Sequence, residues 1–365
     1  MDRRAFLLTT AGAALAAPVV ARTPEAALQD RLEQLRVEAA IPALGGALVT
    51  PDGLAWQGAS GLRRADGDTV VTSADRWHLG SNTKAMTAAL YARLVEQGRA
   101  EWGASVPRLF YDLDLHPGWQ NVRIEHLLSH RSGILDSIVM PVWMLIARED
   151  LDVRILRNRL AGDVLGDAPG EVGGFSYSNA GYILAGAAIE RITGEPWEDT
   201  MRREVFEPLG MASAGFGAPL GDNAWGHQRT TLRPRDPAAP IADNPAALGP
   251  AGTVHASLED YARFLRVFLT GGGGWLSPES LDILTRPAAG PPPAYAAGWG
   301  IVASAPWAGS RPAFTHDGSN TMWLARAVVA PGRNAAVICV ANAAEPARGA
   351  VDALTRALIE HLPVR

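Results

Sequence analysis

Leu79-Gly80-Ser81-Asn82-Thr83-Lys84 is the stretch from which the fold and chemistry of this 365-residue chain are read. Of its 33 basic residues one, Lys84, is a lysine, and the other 32 are arginines. Arginine keeps its proton near neutral pH whereas a desolvated lysine can lose it, so one retained lysine points to a task that needs a free amine. Lys84 stands three residues after Ser81, directly ahead of a helical pattern of Met86, Ala89, Leu90, Ala92 and Leu94 that stops at Gly98. A serine in the first turn and a lysine one turn later share a face. The partial positive charge of a helix N-terminus is expected to push that lysine toward its neutral form. A neutral amine beside a hydroxyl makes an activated nucleophile. The plainer alternative is a serine cap followed by a solvated lysine, since S-x-x-K is a short pattern.

Length allows one large domain or two lobes. The net charge of −5 and the lack of a basic run exclude nucleic acid as an expected partner. A hydrophobic content of 47% is enough for a substantial core. At the N-terminus, Asp2-Arg3-Arg4-Ala5-Phe6-Leu7-Leu8 reads as a twin-arginine export signal, with an apolar run through Ala17 and cleavage near Ala21. That run falls short of the roughly 20 apolar residues a membrane span needs, so no stable membrane anchor is expected. The single cysteine, Cys339, lies in the apolar run Ala335 to Val340 and reads as a buried structural thiol.

Along the chain, Thr23 to Ala40 fits an amphipathic helix, and Leu44 to Ala59 fits two strands joined at Pro51-Asp52-Gly53. His126 and His130 stand at i, i+4, a metal-ligand spacing. Leu127 occupies the place where a zinc protease has glutamate, so a buried, hydrogen-bonded pair under the site is the preferred reading and no metal is expected. Ile138 to Ile146 is the most apolar stretch after the leader, either core or the lip of a cleft. Arg148 to Gly170 reads as charged and then loop-like. Tyr177-Ser178-Asn179 opens another helix that ends near Gly194, which puts Tyr177 at a loop-to-helix junction. Gly215 to Pro250 has little periodicity and reads as a long surface excursion before a helix over Leu258 to Thr270. The end is strand-rich, at Gly298 to Ala303, Ala313 to His316, Thr321 to Ala330 and Ala335 to Asn342, followed by a helix from about Arg348 to Leu362. Strands at both ends with helices between predict an α+β fold: an antiparallel sheet flanked by the terminal helices, with an inserted all-helical lobe.

The order Ser81-Asn82-Thr83-Lys84, Tyr177-Ser178-Asn179, His316-Asp317-Gly318 resembles the serine β-lactamase and penicillin-binding-protein superfamily, in its class C-like branch. His126-Leu127-Leu128-Ser129-His130-Arg131-Ser132-Gly133 is similar to that branch's H-L-L-x-H-T-S-G run, with Arg131 in place of Thr. Gly249-Pro250-Ala251-Gly252 and Ala297-Gly298-Trp299-Gly300 match it as well, so the resemblance covers about Leu28 to Leu362. The branch also holds D-alanyl-D-alanine carboxypeptidases, D-aminopeptidases and esterases. It implies a β-lactamase-like fold, which, with the leader read above over 1–21, leaves a hydrolase domain over 22–365. Within that domain the sheet lobe would take about 24–75 and 251–365, and the helical lobe about 76–250. It implies Ser81 as the acylated nucleophile, with Lys84 and Tyr177 sharing proton transfer. Asn179, His316, Gly318 and Ser319 would bind substrate, with the N–H groups of Ser81 and Ser319 forming the oxyanion hole.

The third motif departs from the Lys-Thr-Gly of class C β-lactamases, because His316 is at most partly charged at pH 7. The departure favours an esterase or D-amino-acid peptidase over an efficient β-lactamase. The expected partner is a small molecule or peptide with an ester, amide or lactam bond, with no cofactor. Three alternatives stay open at this point: a class C-like β-lactamase, a penicillin-binding sensor that acylates without turnover, and a metallohydrolase built on His126 and His130.

Overall fold

The computed structural model describes residues 23–134 and 151–362. The arginine-rich leader and the apolar stretch Ile138 to Ile146 lie outside the described residues. The long helices are α1 (Pro24–Glu38), α2 (Thr83–Glu96), α3 (Val153–Gly166), α4 (Asn179–Thr193), α5 (Leu258–Leu269) and α6 (Ala344–Glu360). The strands are β1 (Ala43–Thr50), β2 (Gly53–Gly61), β3 (Trp77–His78), β4 (Gly215–Phe216), β5 (Val254–Ala256), β6 (Gly300–Val302), β7 (Ala313–Ser319), β8 (Leu324–Ala330) and β9 (Ala335–Ala341).

Six strands form one antiparallel sheet in the order β2-β1-β9-β8-β7-β6. Its centre is the apolar run of β9, buried along its whole length. Side chains alternate across a strand. Val337 and Cys339 therefore join Leu28 and Leu32 of α1 and Leu354 and Leu358 of α6 in one core. Ile338 and Val340 face a second core shared with Phe264 of α5 and the apolar residues of α2. Both faces of the strand are covered, which is why it shows no polar alternation. Burial pushes the Cys339 thiol up to about 12, so it stays protonated and inert.

α2 is apolar from Ala85 to Ala92 but for Thr87, whose hydroxyl donates to the Pro250 carbonyl at 2.7 Å, and it is buried on every side, as such a helix must be. A small ribbon, in the order β3-β5-β4, leads into it and pairs His78 with His255.

Two sequence expectations are corrected here. Residues 153–166 are helical rather than loop-like, begun by Asp152 capping the N–H of Arg154 at 2.8 Å. The buried positions Leu156, Leu160, Ala161, Val164 and Leu165 follow helical spacing, but the arginines between them mask it. One of those, Arg157, is itself buried, held at 2.5 Å by Glu190 and at 2.5 Å by Glu198. The excursion over 215–250 is also not all surface: Ala242, Ala247 and Leu248 are buried, and Pro240 to Leu248 wall the main cleft.

Candidate active site

A 3-10 turn over Gly80–Asn82 leads into α2 and carries Ser81, half-buried at the base of a cleft. Lys84 is fully buried one turn later, with its Nζ 3.0 Å from Ser81 Oγ. The same nitrogen lies 2.8 Å from Asn179 Oδ1 and 2.7 Å from the carbonyl oxygen of Ala251. Both of those oxygens can only accept. A neutral amine gives them its two N–H groups, which leaves its lone pair facing the Ser81 hydroxyl. Burial holds the Lys84 ammonium well below the usual lysine range. The shift expected from the helix N-terminus has removal from water as its cause.

Tyr177 stands over this pair, its ring centroid 5.0 Å from Lys84 Nζ and its hydroxyl in hydrogen-bonding contact with Ser81. Burial pushes its phenol up to about 12, opposed by the Ser81 contact. At neutral pH Tyr177 therefore keeps its proton. Its ring rests on His130, with centroids 4.2 Å apart, and His130 Nδ1 accepts the backbone N–H of Ser178 at 3.1 Å. His130 is thus the floor under Tyr177. His126 is not its buried partner: half-exposed, it accepts the N–H of Arg123 at 3.0 Å and caps the short helix Ile124–Leu128. Among the described residues no cluster of three or more His, Cys, Asp or Glu side chains could hold a metal.

His316 reaches the site from β7. The Tyr295 hydroxyl donates to its Nε2 at 2.8 Å, and its Nδ1 donates to the carbonyl of Asp317 at 2.8 Å. Burial, with Lys84 nearby as the second cause, lowers its pKa to about 4, so the ring is neutral. Both ring nitrogens are engaged within the protein. Tyr295, which no sequence signal marked, comes from the loop after Pro287. That loop is tied down by the fully buried Arg131, whose guanidinium donates to the carbonyls of Gly173, Pro291 and Pro293 at 2.9, 2.8 and 3.2 Å. The replacement of Thr by Arg in the H-L-L-x-H run was the visible trace of this staple.

β6 starts at Gly300, opposite Thr315, so among the described residues no strand pairs with His316 to Ser319 on that side, and they form an edge beside the cleft. The edge approaches the Ser81 turn closely. A Cβ on Gly318 would stand 1.9 Å from the carbonyl oxygen of Leu79 and 2.7 Å from Ser81 N. A Cβ on Gly80, which has φ +52°, would stand 2.3 Å from Ser319 N. The backbone amides of Ser81 and Ser319 are thereby brought to one wall. The cleft in front of them has a volume of about 1010 Å³ and is bordered by Ser81, Asn179 and Ser319 together with Leu156, Ile241, Leu248 and Met322. Asp243 is the one charged side chain among its described lining residues.

The sequence pattern of the beta-lactamase family matches residues 28–361. The chain belongs to the beta-lactamase family. It is 28% identical over 342 residues to penicillin-binding protein 4 of Amycolatopsis lactamdurans, covering 86% of this chain and 84% of that protein. Esterase EstB of Burkholderia gladioli is 31% identical over 220 residues, which is 55% of this chain and 52% of the esterase. Among solved structures, the D-amino acid amidase of Ochrobactrum anthropi SV3 bound to L-phenylalanine amide superposes with a TM-score of 0.73. That match covers 93% of this chain and 99% of the amidase at 22% identity, and it shows a shared fold. The family assignment makes the chain a serine hydrolase.

Proposed function

We propose that the protein is an exported hydrolase that cleaves an ester or amide through an acyl-Ser81 intermediate, as an esterase or a D-amino-acid peptidase type of enzyme. The observation that carries this reading is Lys84 Nζ at 3.0 Å from Ser81 Oγ, with two oxygens that can only accept, Asn179 Oδ1 and the Ala251 carbonyl, at 2.8 and 2.7 Å from the same nitrogen. Ser81 attacks the carbonyl carbon as Lys84 takes its proton. The carbonyl oxygen becomes negative in front of the Ser81 and Ser319 amides, where fixed donors stabilise it without reorganising. As the bond to the leaving group breaks, Tyr177 protonates that group and receives the proton held by Lys84. Water then attacks the acyl carbon, its proton passes to the same pair, and Ser81 departs with a proton restored. Export rests on the Arg3-Arg4 leader, which suits delivery of an already folded protein.

The cleft supports an uncharged, apolar acyl group. Its described lining offers no lysine or arginine to a carboxylate, Asp243 repels one, and His316 is neutral. A β-lactam, whose carboxylate needs a cation, finds none among these residues, so esters and amides are favoured over lactams. The deciding experiment is intact mass after exposure to a fluorophosphonate, wild type beside Ser81→Ala. One adduct on the wild type and none on the variant is expected; a labelled Ser81→Ala would move the nucleophile elsewhere.

A further inference from the structure

Behind the oxyanion-forming residues runs a buried polar chain that the reaction steps do not use. His78, on β3, is fully buried and stacks on Trp323 with ring centroids 5.6 Å apart. Its Nδ1 accepts the backbone N–H of Gly80 at 3.1 Å. The ring proton therefore sits on Nε2, which lies 2.7 Å from Asp243 Oδ1, a close electrostatic contact without hydrogen-bond alignment. The same carboxylate oxygen accepts the Asn320 side-chain amide at 2.8 Å and the backbone N–H of Asn244 at 2.6 Å. Asn320 in turn holds the N–H groups of Met322 and Trp323 at 3.2 and 3.1 Å. One oxygen thus joins the residue before Ser81 to the residue after Ser319.

We propose that Asp243 is a positioning residue: through His78–Gly80 on one side and Asn320 on the other, it fixes the spacing of the two oxyanion donors, Ser81 N–H and Ser319 N–H. The inference rests on the acyl-Ser81 reading.

The two donors come from segments far apart in sequence, a turn at the start of α2 and the end of β7. The absence of Cβ atoms at Gly80 and Gly318 sets how closely those segments can approach. Steric contact only pushes, however. Something must also draw the segments together, and the chain through Asp243 does so. Its cost is visible. The Asp243 side chain is 9% exposed, its Oδ2 has no hydrogen-bond partner among the described residues, and no arginine or lysine pairs with it there. A carboxylate buried beside neutral donors is destabilising unless its geometry is needed. An oxyanion hole has that need, because its donors must sit about 2.7–3.1 Å from an oxygen that is charged only in the transition state.

The test is the time course of fluorophosphonate labelling over a range of probe concentrations, since the adduct places an oxygen between the two amides. Asp243→Ala and Asn320→Ala should each lower the limiting labelling rate about ten-fold or more, because small misplacements of reacting groups cost that much. The probe concentration at half-maximal rate should stay within about two-fold, as the clamp acts on the transition state rather than on binding. Asp243→Asn keeps the accepting oxygen and should restore the rate to within about three-fold of wild type, which a purely electrostatic role would not allow. The double variant Asp243→Ala/Asn320→Ala should be no slower than the slower single variant, because both break one connection. Unchanged limiting rates in the single variants, or losses that multiply in the double variant, overturn the clamp alone. If Asp243→Ala does not fold, Asn320→Ala and Asp243→Asn decide the matter between them. A wild type that takes no label overturns the acyl-Ser81 reading and the clamp with it.

Discussion

At the scale of single residues, the site turns on whether one nitrogen holds its proton. In the proposed mechanism Lys84 is the base only while neutral, and burial favours that form. As pH falls through its lowered pKa the amine is protonated and the lone pair facing Ser81 is lost. The rate should therefore rise with pH along one acid limb, positioned well below the ordinary lysine range, and then level off. Tyr177 holds its proton up to about 12 and adds no alkaline limb near neutrality. A limb at the ordinary lysine value in a pH profile of kcat/KM would mean that burial does not lower the Lys84 pKa, and a profile with no acid limb at all above pH 4 would remove Lys84 from the role of base. Lys84→Arg should be as inactive as Lys84→Ala, both losing at least about a thousand-fold, since general-base catalysis and nucleophile activation fail together. Arginine is the sharper test because it keeps a long cationic chain in place yet cannot give up its proton. Retained turnover in the arginine variant would sink the proton-transfer role.

At the scale of elements, the edge of β7 and the turn before α2 work as one piece. Gly318→Ala would place a methyl group 1.9 Å from the Leu79 carbonyl, so either the strand or the turn must move. A shift of about 1 Å between donor and nucleophile costs on the order of a hundred-fold in rate, and that is the loss expected in kcat/KM. The melting temperature should fall as well, and activity within about three-fold of wild type would mean that the contact is relieved at little cost. The contact also explains what could be read from the chain without a structure. Ser81 and Lys84 are legible because they stand one turn apart where a 3-10 turn runs into α2, and such short-range spacing fixes geometry. The β9 and β1–β2 strands are legible because burial on a pleated surface writes itself as apolar runs. The helix over 153–166 hid because its buried face includes Arg157, a charge made tolerable by Glu190 and Glu198, two residues remote in sequence. Tyr295, Asp243 and Asn320 hid for a related reason: each acts through a partner contributed by another segment. Arg131 left a trace, as a break in an otherwise familiar run, yet its three carbonyl partners could not be read from it.

At the scale of the whole molecule, the site joins the sheet to the surrounding helices through groups that must stay uncharged. His130 and His316 both face Lys84, from the helical side and from β7, and His255 lies on the ribbon behind. Burial lowers His316 and His255 to about 4 and pushes His130 down in the same direction. In an unfolded chain these rings would take protons near pH 6.5, their ordinary value. Between pH 6.5 and about 4 the unfolded state therefore binds protons that the folded state refuses, so stability falls as pH falls. Below about 4 His255 and His316 are protonated in both states and their share of the loss saturates. The slope in that window should be about 1 kcal/mol per pH unit for each such histidine. Denaturant unfolding across pH 7 to 4 measures it, and His316→Asn provides the control, because asparagine fits a polar site without titrating. That variant will be less stable near pH 7, having lost the Tyr295 hydrogen bond, but its stability should fall less steeply on acidification by one histidine's share. An unchanged slope would mean that His316 takes a proton in the folded state as readily as in the unfolded one, and that the floor of the site tolerates charge beside Lys84.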